Sequence, residues 1–230
     1  MARKRLNQFA FPHNSVHGSF YQDLLTSAIA LLQLALLDRR SFAKNDKTHG
    51  SRHAPGAIVL AMTGFDIWLT EIITGLIRPV EEARDLLDSP TTSKYKTLYE
   101  RFHGQLPGEL SELETVVDIR HEIVHHFPRL NRSLIPEWFP ELQRRGLLLT
   151  SPSGNDDFDF TQKLGSYSLS YWVFQVVESS AGRLVCGSKI GTAKLHTSDL
   201  YNFALYKAVC HPEQLQLFDA QDSLDREIRQ

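Results

Sequence analysis

Residues 55–77 read PGAIVLAMTGFDIWLTEIITGLI, and the class of the protein turns on them. The run has nearly the length of a membrane span, since about 20 apolar residues cross a hydrocarbon core. Asp66 and Glu71 lie inside it, and a charged side chain at a bilayer centre costs about 2.5–3.5 kcal/mol on insertion scales. A helix buried in a protein core accounts for the run better. The helix predicted here covers 57–77 and ends near Arg78-Pro79, because proline discourages the helical conformation in the residue before it.

Outward from this segment the pattern stays helical. In 20–37, apolar residues recur at 20, 24, 25, 28, 31, 32, 35 and 36, the spacing of a helix face. Residues 38–55, rich in Lys, Ser, His, Asn and Gly, read as a loop. Short helices are predicted at 79–87 and at 92–102, the second capped by Thr91 or Thr92. Leu106-Pro107-Gly108 interrupts the pattern, and a second long helix follows over 109–126, apolar at 110, 113, 116, 117, 119, 123 and 124 and closed by Phe127-Pro128. A short helix fits 136–147, and 150–160 is the clearest loop. Residues 164–185 are rich in aromatic and β-branched side chains, so strand propensity competes, but their length and lack of turn signals favour helix. A last helix fits 198–210. Nothing repeats at a fixed period, and no Rossmann or P-loop glycine pattern occurs. The expectation is an all-α protein without a clean second domain: a basic segment over 1–19, a helical domain over 20–210 with loops near 38–55 and 150–160, and an acidic tail over 211–230.

Composition narrows the class without naming a function. A chain of 230 residues, 42% hydrophobic and 23% charged, buries roughly 70% of its unfolded surface and needs no disulfide or metal staple. Cys186 and Cys210 form no zinc-ribbon spacing and no disulfide framework, so a reducing, cytoplasmic setting is expected. The basic residues at 3–5 are followed by no apolar run, so a secretory signal is not expected, nor is a membrane partner. The net charge of -2 excludes a generic polycation, yet it is unevenly spread. Through His53 there are eight Lys/Arg against three acids, and from His211 onward five acids against two Arg.

Ten histidines are present, three of them at 121, 125 and 126, within the stretch VDIRHEIVHHFP at 117–128. Arg120 and His125 lie five residues apart on the second long helix, roughly 140° around it and about 7.5 Å along it. An imidazole and a guanidinium are the minimum kit for metal-free RNA cleavage. Histidine exchanges protons near neutral pH and suits transfer from the ribose 2′-OH or to the leaving 5′ oxygen. Arginine hydrogen-bonds two phosphate oxygens and stabilises the charge of the phosphorane. One His does not readily serve as acid and base together; a symmetric dimer supplies a second.

This pattern resembles the HEPN superfamily, whose ribonuclease members carry an Arg, four to six residues and a His on a long helix, commonly with Asn, His or Asp after the Arg. Arg120 matches the motif Arg, His121 the polar follower and His125 the motif His. The resemblance spans six residues of motif and, as a bundle, residues 20–126 plus the helix after Leu164. It implies an HEPN-like helical bundle with additional C-terminal helices. It also implies a metal-independent RNA endonuclease without cofactor, working as a homodimer. Such proteins are often toxins or antiviral defence effectors, with an antitoxin or defence-system partner. Around the motif, Asp118 is placed to orient a histidine by accepting its Nδ1–H. Glu122 and Arg129 complete the candidate substrate contacts, Arg129 with Arg132 as phosphate-steering charges.

Two other chemistries fit the same residues. His121-Glu122-Ile123-Val124-His125 matches H-E-x-x-H, with both His on one helical face and Glu122 as a base for zinc-bound water. Glu137 and Glu141 are the available third ligands, and no strands are expected upstream to bind a peptide edge. Alternatively, polar residues at 118, 121, 122 and 125 make a solvated stripe, and the protein binds RNA, a nucleotide or a partner without turnover. Trp68, Trp138 and Trp172 with Tyr167, Tyr171 and Phe174 read as core rather than as base-stacking platforms.

Overall fold

The computed structural model describes residues 20–42, 50–77, 80–108, 110–125, 136–149 and 160–185. All belong to the first of the two units into which the chain divides, Met1–Lys189. The described helices are α1 (Phe20–Phe42), α2 (Ala54–Leu76), α3 (Val80–Leu87), α4 (Thr91–His103), α5 (Ser111–His125), α6 (Phe139–Arg144), α7 (Phe160–Lys163) and α8 (Tyr167–Val185). No strand occurs among the described residues, and the fold is all-α.

Helix α2 is the 55–77 segment, and it is the hub. It packs on α1, α3, α4, α5 and α8. Ala57, Ile58, Ala61, Met62, Phe65, Trp68, Leu69, Ile72 and Ile73 are all buried. At about 100° per residue these nine positions fall within an arc of about 160°, one broad face turned to the neighbouring helices. Ala54–Gly75 has the length and apolarity of a membrane span by composition, and here somewhat over half of it is buried within the protein. The helix begins three residues earlier than expected because Pro55 sits in its first turn, where its fixed φ suits helix entry. It ends at Leu76, with Ile77 already extended.

Several boundaries differ from the sequence expectation for identifiable reasons. Helix α1 continues to Phe42, five residues beyond the expected end. Its exit is tied to the entry of α2: Ser51 Oγ donates to Asp38 Oδ2 at 2.7 Å and accepts from the His53 amide at 3.0 Å. Neither threonine caps α4. Pro90 occupies the cap position, and Thr91 Oγ1 donates instead to Asp66 Oδ1 at 2.7 Å. That helix ends at Gly104, whose φ of 71° suits glycine. Helix α6 is shorter than expected, and Gly146 (φ 69°) and Leu147 close it by donating to the Gln143 and Leu142 carbonyls.

The 164–185 segment is helical, but not continuously. Its first three residues, 164–166, form a turn, so the helix starts at Tyr167, and the Leu169 amide reaches Ser166 Oγ at 3.5 Å; the short α7 just before that turn is not foreseen in the sequence. Gly165 approaches the 50–51 segment closely, its carbonyl accepting from the Ser51 amide at 2.9 Å. Of the predicted loop at 150–160, Phe160 is instead the first residue of α7, and the rest lies outside the described residues, as do the predicted helix at 198–210 and the acidic tail. Trp68, Trp172, Tyr167 and Phe174 are buried in the core, as read from the sequence, whereas Trp138 and Tyr171 are only half-buried.

Candidate functional site

Helix α5 carries the candidate site, and its placement starts with its own sequence. Glu112 and Glu114 lie in its first turn, where negative charge complements the helix dipole. Both are also held from outside: Lys96 Nζ of α4 lies 3.0 Å from Glu114 Oε1, and the Arg145 guanidinium lies 3.0 Å from Glu112 Oε1. Arg145 in turn lies over the Trp172 ring of α8, 4.9 Å from its centroid, a cation–π contact. Exposed ion pairs contribute little stability; the rotation of α5 follows from burying Leu113, Val116, Ile119 and Ile123, and the pairs tie its first turn to Lys96 and Arg145.

Leu113, Val116, Ile119 and Ile123 are the buried arc of α5. At about 100° per residue, Arg120 stands roughly 45° from the middle of that arc and His125 roughly 175° from it. The structure agrees: Arg120 is half-buried at the shoulder of the core, whereas His121 and His125 are exposed on the outer side. Among the described residues, Arg120 makes no hydrogen bond or ion pair. The imidazoles of His121 and His125 lie side by side, ring centroids 4.5 Å apart and planes tilted by 44°.

Asp118 shares the outer face one turn before His121. Although Asp118 is exposed, partial desolvation by its neighbours raises its carboxyl above its ordinary value; His121 acts in the opposite direction, while Glu114 and Glu122 add to the rise. The structure therefore brings Asp118, His121 and His125 onto one face, with Glu122 half-buried beside it. Arg120 stands apart from that face on the same helix. Arg129, Arg132 and His126 lie outside the described residues.

Two apolar assignments on α5 need correction. Val124, counted with the buried stripe, is 43% exposed, and Val117 is only half-buried. Both lie too far round the helix from the Leu113–Ile123 arc for the neighbouring helices to cover them. Val124 falls between Arg120 and the two histidines on the helix surface. The sequence signal for it was present, since Val124 is out of phase with 113, 116, 119 and 123, but apolarity outweighed phase.

Among the described residues, no three His, Cys, Asp or Glu side chains converge as a metal-binding group. Glu141, one of the third ligands considered for the H-E-x-x-H reading, is engaged by Arg144 at 2.6 and 2.9 Å, which lowers its proton affinity. A second polar constellation, Ser51, His53 and Asp38, does not form a nucleophile relay. Ser51 donates to Asp38 rather than to His53, and His53 Nε2 is 4.0 Å from the same carboxylate. In comparisons with known proteins, no family model, no curated protein and no solved structure matches the chain.

Proposed function

We propose that the protein is a metal-independent RNA endonuclease of HEPN type, acting as a homodimer in the cytoplasm. The observation that carries this reading is the arrangement on α5: a half-buried Arg120 without a protein partner among the described residues, and an exposed His125, on one helix with an exposed valine between them. Arg120 binds the scissile phosphate and stabilises the added negative charge of the phosphorane. His125 takes the proton of the ribose 2′-OH as that oxygen attacks phosphorus. The bond from phosphorus to the 5′ oxygen breaks, and the leaving oxygen takes a proton from the second copy's motif histidine. The products are a 2′,3′-cyclic phosphate and a 5′-OH end. His121, Asp118, Glu122 and Arg129 shape and contact the substrate around that step.

The roughly 140° between Arg120 and His125 is the reason for two copies. Within one chain the two side chains diverge, whereas two α5 helices meeting about a twofold axis bring each Arg120 toward the other copy's His125. Val124 is the apolar surface such a contact covers. A toxin or defence role, with a neutralising partner, extends this reading by resemblance to the family.

The test is cleavage of single-stranded RNA by the purified protein with and without EDTA. Arg120→Ala and His125→Ala should each abolish cleavage, and EDTA should leave the wild type active. Cleavage that persists in both variants overturns the assignment. Loss of activity with EDTA, with about one zinc per chain, favours the zinc hydrolase instead.

A further inference from the structure

We infer that His121 and His125 form a chelating site for a divalent transition-metal ion of the zinc, nickel and copper class, and that its occupation switches cleavage off. The binding half stands on geometry alone; the switching half rests on the ribonuclease reading. Two histidines at i and i+4 on one helical face are a recurrent zinc-binding pair. Here the rings are already adjacent, 4.5 Å between centroids, and both residues are exposed. Neutral imidazole is a favoured ligand for zinc, copper and nickel. Asp118 places a carboxylate on the same face near His121, which favours a cation there.

The donor set also says what kind of site this is. No third His, Cys, Asp or Glu joins the pair among the described residues, so the two imidazoles are the ligands the site is proposed on. A resident structural zinc has four protein ligands and a catalytic one usually three. A two-imidazole site is open and exchangeable, suited to sensing or inhibition by free metal. Metal binding uses a ring nitrogen lone pair on each imidazole, and it sets a dication where His125 must accept a proton. Arg120, roughly 140° round the helix from His125, takes no part in the chelate.

That separation makes the test clean. Zn²⁺ is titrated into the full chain in competition with a chromophoric zinc indicator, and RNA cleavage is followed in parallel. Wild type and Arg120→Ala should bind Zn²⁺ equally, although the variant does not cleave. His121→Ala and His125→Ala, both at exposed positions, should each weaken binding by at least about tenfold, and His126→Ala should not. Zinc should inhibit wild-type cleavage and EDTA should restore it. Equal affinity in wild type, His121→Ala and His125→Ala overturns the site. Binding that follows the pair, in a protein that cleaves no RNA, upholds the site and overturns the ribonuclease reading. Zinc that fills the pair while cleavage continues overturns the switch, and so does cleavage that requires zinc.

Discussion

Lys94 Nζ lies 3.1 Å from each carboxylate oxygen of Asp66 and joins α4 to α2 across the interior face of the bundle. Lys94 is 5% exposed and also donates to Thr70 Oγ1 at 3.3 Å. Thr91 adds a third hydrogen bond to Asp66. The acid that argued against a membrane span is thus the anchor for a neighbouring helix. Removing one partner of such a pair leaves a buried charge unmatched. Asp66→Ala should destabilise the protein by about 3 kcal/mol, the low end for a buried pair because the Asp66 side chain is 34% exposed. The double variant Asp66→Leu with Lys94→Met should recover much of that loss. Urea unfolding midpoints of the single and double variants measure both.

Tyr95 reports on the same interior from the far side of α4. Its hydroxyl donates to the Ser180 carbonyl of α8 at 3.1 Å, and burial pushes its pKa up to about 12, with Arg183 opposing and Tyr99 adding to the rise. Below pH 10 the phenol is protonated in both folded and unfolded chains, and its contribution is fully present. Between pH 10 and about 12 the unfolded chain loses the proton first, so stability falls, by up to about 1.4 kcal/mol per pH unit. Tyr95→Phe should cost about 1 kcal/mol near neutral pH from the lost hydrogen bond, and its stability should decline less steeply above pH 10. Thermal or urea unfolding across pH 8–12 separates the two effects.

Asp118 carries the opposite lesson for an acid on the candidate site. Its raised pKa, chiefly from partial desolvation, means that the folded state holds the proton to higher pH than the unfolded one. Its stabilising contribution is therefore present at low pH and lost as pH rises through the folded value. Asp118→Asn should be at least as stable as wild type at pH 7. Relative to wild type it should lose ground only as the pH is lowered toward the ordinary aspartate value. Comparing unfolding midpoints at pH 4 and pH 7 checks the sign.

Val124 gives the proposed dimer its most direct test. At 43% exposure beside Arg120 and His121, it can lose its side chain without damage to the core. Val124→Asp should leave the helical signal and unfolding midpoint nearly unchanged, since exposed substitutions cost within about 0.5 kcal/mol. It should shift the protein toward the monomer in light scattering and lower RNA cleavage in step. A monomeric variant with full activity removes the two-copy site.

Much of the α5 surface was readable from spacing alone. Ile119 and Ile123 inside, His121 and His125 outside and adjacent, all follow from 3.6 residues per turn. Val124 did not follow, because apolar character alone does not say whether a neighbouring helix reaches that side. Thr91 shows the same limit at a helix start: its hydroxyl had a local capping role available and took a distant carboxylate instead.

Local chemistry, then, determined the helical class, the order of the described helices apart from the short α7, and the face of α5 that bears the imidazoles. Periodicity and chain-breaking residues act over a few positions and need no partner. The tertiary structure decided which helix became the hub and how the two sides of α5 differ. It also gave Asp66 of the 55–77 segment its lysine, 28 positions away. Those outcomes depend on contacts between residues remote in the chain. The polar residue that spoils a membrane span and the buried lysine that needs an anion become a stabilising pair only when α2 and α4 meet.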